Sequence, residues 1–368
     1  MKYVKTWGVV VAITLSMLAF QQKADASECG LSCCIAAGVD GVSSDTGLTI
    51  SLQYDTMIMG TNKQGSSDIA NDTIIANELA TRTTNGMHMF GVASDMVMQK
   101  IAANLSYRMD ENNAFVLTVP YHINDMDMRM GRQMRMMGMA GTNTFSNSTM
   151  ETVKGLGDVS LLYLRDVYKD VELRTRQRLS VGIGVKAPTG KSKARNSSGN
   201  LVHMMMQVGT DSWDGLLVAS GTMAFGEHED GGALFMLSPS VFYQMNTRND
   251  LGYKVGNRLN YDLSARYRLT SKFNVKLDVN GVWSQKDSTD GTIDTPSGLI
   301  AYQNTGRNVL DNVANTGLNS LFISPGFQWI VADGLVVSGE YRQPVYQNVN
   351  GIQLVTDNWF FLRLTTTL

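Results

Sequence analysis

Apolar and polar residues alternate along most of this chain with a period of two. In "GLTISLQYDTMI", Leu48, Ile50, Leu52, Tyr54 and Ile58 share one face, and Thr49, Ser51, Gln53 and Asp55 share the other. "NRLNYDLSARYRL" and "KFNVKLDVNGVW" repeat the pattern, with Leu259 to Leu269 set against Asn260 to Arg268 and Phe273 to Val279 set against Asn274 to Asn280. A period of two means β-strands with one apolar and one polar face. Twelve such segments start near residues 48, 96, 114, 157, 176, 214, 232, 257, 273, 318, 335 and 357. Most run 11 to 14 residues. That exceeds the five or six of a typical soluble strand and is enough to cross a bilayer at a tilt, which takes about 9–11.

The connections sort by side. Strands two and three are joined by "DENN", four and five by "KDVELRT", six and seven by "EHEDG", eight and nine by "TSK", and ten and eleven by "ADG". The other set is long, about 36, 32, 25 and 32 residues after strands one, three, five and nine, and about ten after strands seven and eleven. A soluble sandwich has no reason to sort its loops in this way. An antiparallel transmembrane β-barrel of about 12 strands does, with short periplasmic turns, long outside loops and no open sheet edge. Tyr107, Tyr121, Tyr163, Phe242, Tyr243, Phe273, Trp283, Trp329, Tyr341 and Trp359 fall near strand ends, where a barrel carries aromatic girdles.

The first 26 residues fit a secretory signal peptide: a basic start "MKYVK", the apolar run "WGVVVAITLSMLAF" and a small-residue cleavage site "ADA" ending at Ala26. Residues 27–46 then form a short cysteine-containing segment and residues 47–368 the outer-membrane barrel. Removing the leader, with Lys2, Lys5 and Lys23 against Asp25, takes the net charge from −2 to −4. A mildly acidic chain argues against a nucleic-acid partner. Cys29, Cys33 and Cys34 all lie in "SECGLSCC". In an oxidising envelope they suit a local disulfide with one thiol left over, or a soft-metal site.

From about residue 86 the chain resembles the outer-membrane family named for the MetA pathway of phenol degradation. The stretches that carry the resemblance are "KGLGDVSLLYL", "LSVGIGVKAPTGK", "VGTDSWDGLLVASGTMAFG" and "NRLNYDLSARYRLTSKF". "MHMFGVAS" looks like a methionine-rich branch of it. The resemblance implies an outer-membrane channel or transporter and supplies no substrate.

Enzyme chemistry finds little to work with. A serine hydrolase needs an oriented histidine, and His88, His122, His203 and His228 have no convincing partner in sequence. Asp287, Asp290 and Asp294 surround Gly291 but lack the spacing of a calcium loop, and read as a solvated turn.

The unusual residue is methionine. Thirteen of 23 lie between residues 87 and 150, and "NDMDMRMGRQMRMMGM" holds seven in sixteen positions. Threaded on the barrel, Met96 and Met98 face the lumen, and the seven fall in an outside loop over residues 125–156. Thioether sulfur suits copper(I) or silver(I) and stays neutral in an oxidising compartment. Met126, Met128 and Met130 share one side of an extended chain but stand about 7 Å apart per step. A common site therefore requires a bend at Gly131 or Gly138, with Met134, Met136, Met137, Met139 and His88 completing it. The competing reading is an adaptable apolar lining.

The residues together predict an outer-membrane channel for small, hydrophobic or aromatic molecules. Its partners would be outer-membrane lipid, a small solute and the barrel-insertion machinery. The alternative is a cell-surface copper(I)-binding or copper-uptake barrel.

Overall fold

The computed structural model describes residues 46–170, 177–229, 231–290, 292–295, 298–301 and 308–368. The leader and Cys29, Cys33 and Cys34 lie outside the described residues. Twelve antiparallel strands form the barrel: β1 (Gly47–Gln64), β2 (Gly86–Arg108), β3 (Asn113–Met136), β4 (Ser160–Lys169), β5 (Gln177–Lys186), β6 (Asp214–Glu227), β7 (Ala233–Met245), β8 (Arg258–Thr270), β9 (Phe273–Ser284), β10 (Leu318–Ala332), β11 (Leu335–Val349) and β12 (Ile352–Thr367). Each pairs with its neighbour in sequence, and β1 pairs with both β2 and β12, which closes the sheet. Closure gives every ladder donor and acceptor a partner, as a bilayer demands.

The faces fall as the alternation predicts. In β8 Leu263 is exposed on the outside, while Ser264 and Arg266 are buried inside. In β9 Val275, Leu277 and Val279 are exposed, and Asn274, Asp278 and Asn280 are buried. Inside, charge is paired. Arg108 and Arg178 both reach Asp166, Arg108 at 3.0 Å, and Ser180 Oγ donates to the same carboxylate at 2.6 Å. Lys186 bridges Asp158 and Asp214 at 2.6 Å each.

Short turns collect at one end. Asp110 builds one of them by accepting from the backbone N–H groups of Asn112 and Asn113, both at 2.8 Å. The Leu368 N–H donates to the Leu48 carbonyl at 2.8 Å, so the described chain starts and ends at this end.

The opposite end departs from the expected boundaries. β2 begins at Gly86 rather than near residue 96, and β12 at Ile352 rather than near 357. The loop expected after strand eleven is only Asn350–Gly351. Residues 125–136 are not loop but the upper part of β3. The cause is physical: beyond the bilayer an outward position need not be apolar. Asp125, Asp127 and Arg129 occupy such positions, so the pattern turns polar while the hydrogen-bond ladder runs on. The chain returns along β3 through Met139–Ala140, Thr144–Thr149 and Val153–Leu156. Two girdle assignments also change. Phe242 packs inward against the cluster of Leu162, Leu164 and Leu216, and Trp359 lies beneath the Arg342 guanidinium.

A ten-residue helix, α1 (Asn71–Ala80), sits in the connection between β1 and β2. Its N-cap, Ala70, offers no side-chain acceptor, and a helix this short is marginal alone. Burial holds it: Ile74, Ile75 and Leu79 pack with Phe90 and Val92. Each such side chain contributes at most about 1.5–3 kcal/mol. A methyl group at Gly131 would come within 2.1 Å of Ile75, so only glycine lets α1 approach β3 this closely.

Candidate thioether plug in the barrel lumen

Met-x-Met repeats in each of the first three strands, as Met57/Met59 in β1, Met96/Met98 in β2 and Met126/Met128/Met130 in β3. Strand pairing brings the repeats into line. Met59 lies opposite Met96, and Met96 opposite Met126. One step lower Met57 lies opposite Met98, and Met98 opposite Asn124. Met128 faces Ala93, whose small side chain leaves the thioether room.

These side chains form a buried cluster. Met59, Met96, Met126 and Met128 are joined by Met206, with Met57, Met98, Met130, Met150 and Met205 packed around them. Met126 is 2 % exposed and Met96 1 %, so this part of the sequence is core and not an open mouth lining. The cover comes from the connection between β5 and β6, which contributes Ala194, Val202, Met206 and Val208. Asn124 Nδ2 donates to the Met206 carbonyl at 3.2 Å and ties that cover to β3. Within it Gln207 accepts from the Ala194 N–H at 2.9 Å and donates to the Val202 carbonyl at 3.0 Å. His203 Nδ1 meets Asp311 at 2.8 Å and links the cover to the connection before β10.

The other expected sulfur ligands stand apart. Met136 and Met139 pair across a two-residue turn in which Met137 and Gly138 both take positive φ, 51° and 77°. Met134, Met136, Met137 and Met139 are exposed, Met137 by 89 %. His88 lies opposite Gln133, and its Nε2 contacts the Thr84 carbonyl at 2.7 Å. Gly131 does not bend the chain: it stays in the ladder opposite Phe90. Cross-strand neighbours, not a bend, bring thioethers together. Met59 and Met206 escaped the sequence reading because register and a long connection place them. The Met-x-Met spacing in β1 was the available signal for Met59.

The opposite face of the β2–β3 extension carries α1. Arg129 donates to both carboxylate oxygens of Asp72, at 2.7 and 3.0 Å, and stacks 5.4 Å from the Phe145 ring centroid. These hydrogen bonds hold the Asp72 carboxyl below the usual range. Further round, Asp287 accepts from the Tyr253 hydroxyl and from the Gly256 N–H, and Asp290 pairs with Arg248 at 2.9 Å. Both carboxylates thus serve protein contacts.

Deeper in the lumen the wall holds a second apolar group and a charged one. Ala114, Val116, Leu162, Leu164, Leu216 and Val218 pack together from β3, β4 and β6. Across from them Lys276 bridges Asp278 and Glu340, at 2.6 and 2.5 Å, and Arg342 lies 4.4 Å from the Phe361 ring centroid.

Residues 112–299 match the family described as "Putative MetA-pathway of phenol degradation". The chain belongs to that family. Strands β3 to β9 fall within the matched region, together with the β5–β6 cover. No curated protein matches the chain. Among solved structures it is similar to an outer-membrane channel from Pseudomonas putida F1, at 12% identity, covering 88% of this chain and 96% of that one with a TM-score of 0.53. A FadL homologue of Pseudomonas aeruginosa aligns at 9% identity over 88% of this chain and 90% of that one, TM-score 0.39. The CymD monoaromatic hydrocarbon channel aligns at 10% identity over 88% and 89%, TM-score 0.37. The Pseudomonas putida likeness and the apolar outer face establish an outer-membrane β-barrel.

Proposed function

We propose that this chain is an outer-membrane channel that admits small hydrophobic molecules, aromatic ones included. The observation that carries the reading is the lumen itself. A barrel lumen is ordinarily polar, yet this one presents inward apolar side chains at two levels, the Leu162–Leu164–Leu216 group and the thioether plug. A solute leaving water gains roughly 25 cal/mol for each Å² of apolar surface it buries there. Methionine is unbranched and flexible, so a plug of thioethers can part around solutes of different shape. Membership of a family described by phenol degradation supports an aromatic cargo. Export through a leader over residues 1–26, separation of residues 27–46 from the barrel and delivery to the barrel-insertion machinery belong to the same reading.

Cells whose outer membrane carries the protein should accumulate a labelled monoaromatic hydrocarbon faster than cells without it. Leu164→Asp should abolish most of that gain at an equal amount of folded barrel. Equal uptake with and without the barrel would remove the proposal.

A further inference from the structure

Among the described residues three apolar clusters are built into this chain, and they differ in composition. The α1 cluster uses Ile, Leu, Phe and Val, and the Leu162–Leu164–Leu216 cluster uses Ala, Val, Leu and Phe. Neither contains a methionine. The plug contains ten among its seventeen members. Grease alone does not need that segregation, because the same chain fills its other apolar spaces with branched and aromatic side chains.

The register gives the methionines a second property. Residues directly opposite one another on neighbouring strands hold their Cβ atoms about 4.5–5.5 Å apart. Met59, Met96 and Met126 stand in one such row across β1, β2 and β3. Three flexible thioethers at that spacing can turn their sulfurs onto one ion, which the roughly 7 Å spacing along a strand forbids. Met206 closes the row from above and is fully buried.

One oxygen feature favours a cation over a neutral guest. The Asn124 side chain is 1 % exposed, and its Oδ1 has no hydrogen-bond partner among the described residues. That leaves a buried acceptor unfilled beside the row.

We propose that Met59, Met96, Met126 and Met128, closed over by Met206, bind one soft monovalent cation, copper(I) or silver(I). Thioethers prefer such ions to the hard, abundant cations and need no deprotonation to bind them. Asn124 Oδ1 supplies an oxygen at the edge of the site. The exposed methionines of the β3 tip are not part of it.

The test uses the full chain in detergent micelles with Cys29, Cys33 and Cys34 replaced by serine, so that no thiolate competes. Silver(I), and copper(I) without oxygen, are titrated against a chromogenic chelator. The parent and a tip variant, M134L/M136L/M137L/M139L, should each bind one ion with the same affinity. The variant M59L/M96L/M126L/M128L/M206L should bind at least about 100-fold more weakly, a loss on the scale of removing metal-site interactions. Leucine nearly conserves volume, and the single changes Met96→Leu and Met126→Leu provide folded variants should the fivefold one fail. Each single change should weaken binding, and the parent should not take sodium or calcium in silver's place. A parent that binds no silver, leucine variants that bind as the parent does, or loss confined to the tip variant would each overturn the proposal. None of these outcomes depends on hydrocarbon uptake.

Discussion

One side of this barrel is more than twice as tall as the other. β2 and β3 run for 23 and 24 residues, whereas β4 and β5 run for 10 each. Ten residues are what a tilted strand needs to cross the hydrocarbon, so the short wall is all membrane. Between the polar Arg165 and Gln177 at its turn end and the far rim, its outward positions answer to lipid, as the exposed Leu161, Ile183 and Val185 do. Its inward positions are a packed apolar group bounded by buried ion clusters. The tall wall obeys the same rule only in its lower half. Above the bilayer its outward face meets protein and water, where Arg129 and Asp72 pair and α1 docks. Its inward face becomes the thioether plug. The same ladder thus does two jobs, and the solvent on its outer side decides where one stops.

Breaking the short wall should cost most. Asp166 neutralises two buried arginines, and Asp166→Ala leaves both uncompensated. The expected destabilisation is about 3–5 kcal/mol, read from urea unfolding in micelles. Removing the Lys63–Asp68 pair at the solvent end of β1 with Lys63→Ala should cost less than about 1 kcal/mol.

The lipid boundary comes next. Leu263→Arg on the short-wall side should cost roughly 2–4 kcal/mol if the residue lies near the midplane. Asp127→Arg, outward on the tall wall, should stay within about 0.5 kcal/mol. Similar penalties at the two positions would mean that lipid reaches the upper part of β3, and the division between the walls would be lost.

A smaller effect concerns the docked helix. Gly131→Val pushes a side chain into Ile75, an overpacking cost of about 1–3 kcal/mol. It should expose residues 71–80 to protease while the barrel spectrum stays unchanged. Loss of the barrel instead would show that α1 is integral to closure.

The smallest effect is with pH. The Asp72 carboxyl is held below its usual range by hydrogen bonds from Arg129. A depressed carboxyl contributes its stabilisation above the unfolded value, near 3.9. That contribution is lost as pH falls through the folded value. The protection factors of the α1 amides, corrected for the intrinsic pH dependence of exchange, should therefore be flat from about pH 8 to 5 and fall only below about 4. A loss of protection near neutrality would assign the docking to another group.

Twelve strands, their two faces and the sorting of their turns were written in the sequence, because a bilayer imposes apolar outward positions one by one. The reading failed where that demand ends. Asp125 to Met136 looked like loop since nothing outside the bilayer requires a greasy outer face, and Asn350–Gly351 was hidden in a polar stretch for the same reason. The alternation of Met126, Met128 and Met130 was legible, and so was their common side. Their partners were not. Met59 reaches Met96 through the β1–β2 register, and Met206 arrives on a connection that begins some twenty residues earlier. Local pattern determined which way each methionine points. Only closure of the sheet, which fixes register between segments far apart in the chain, decided that they point at one another.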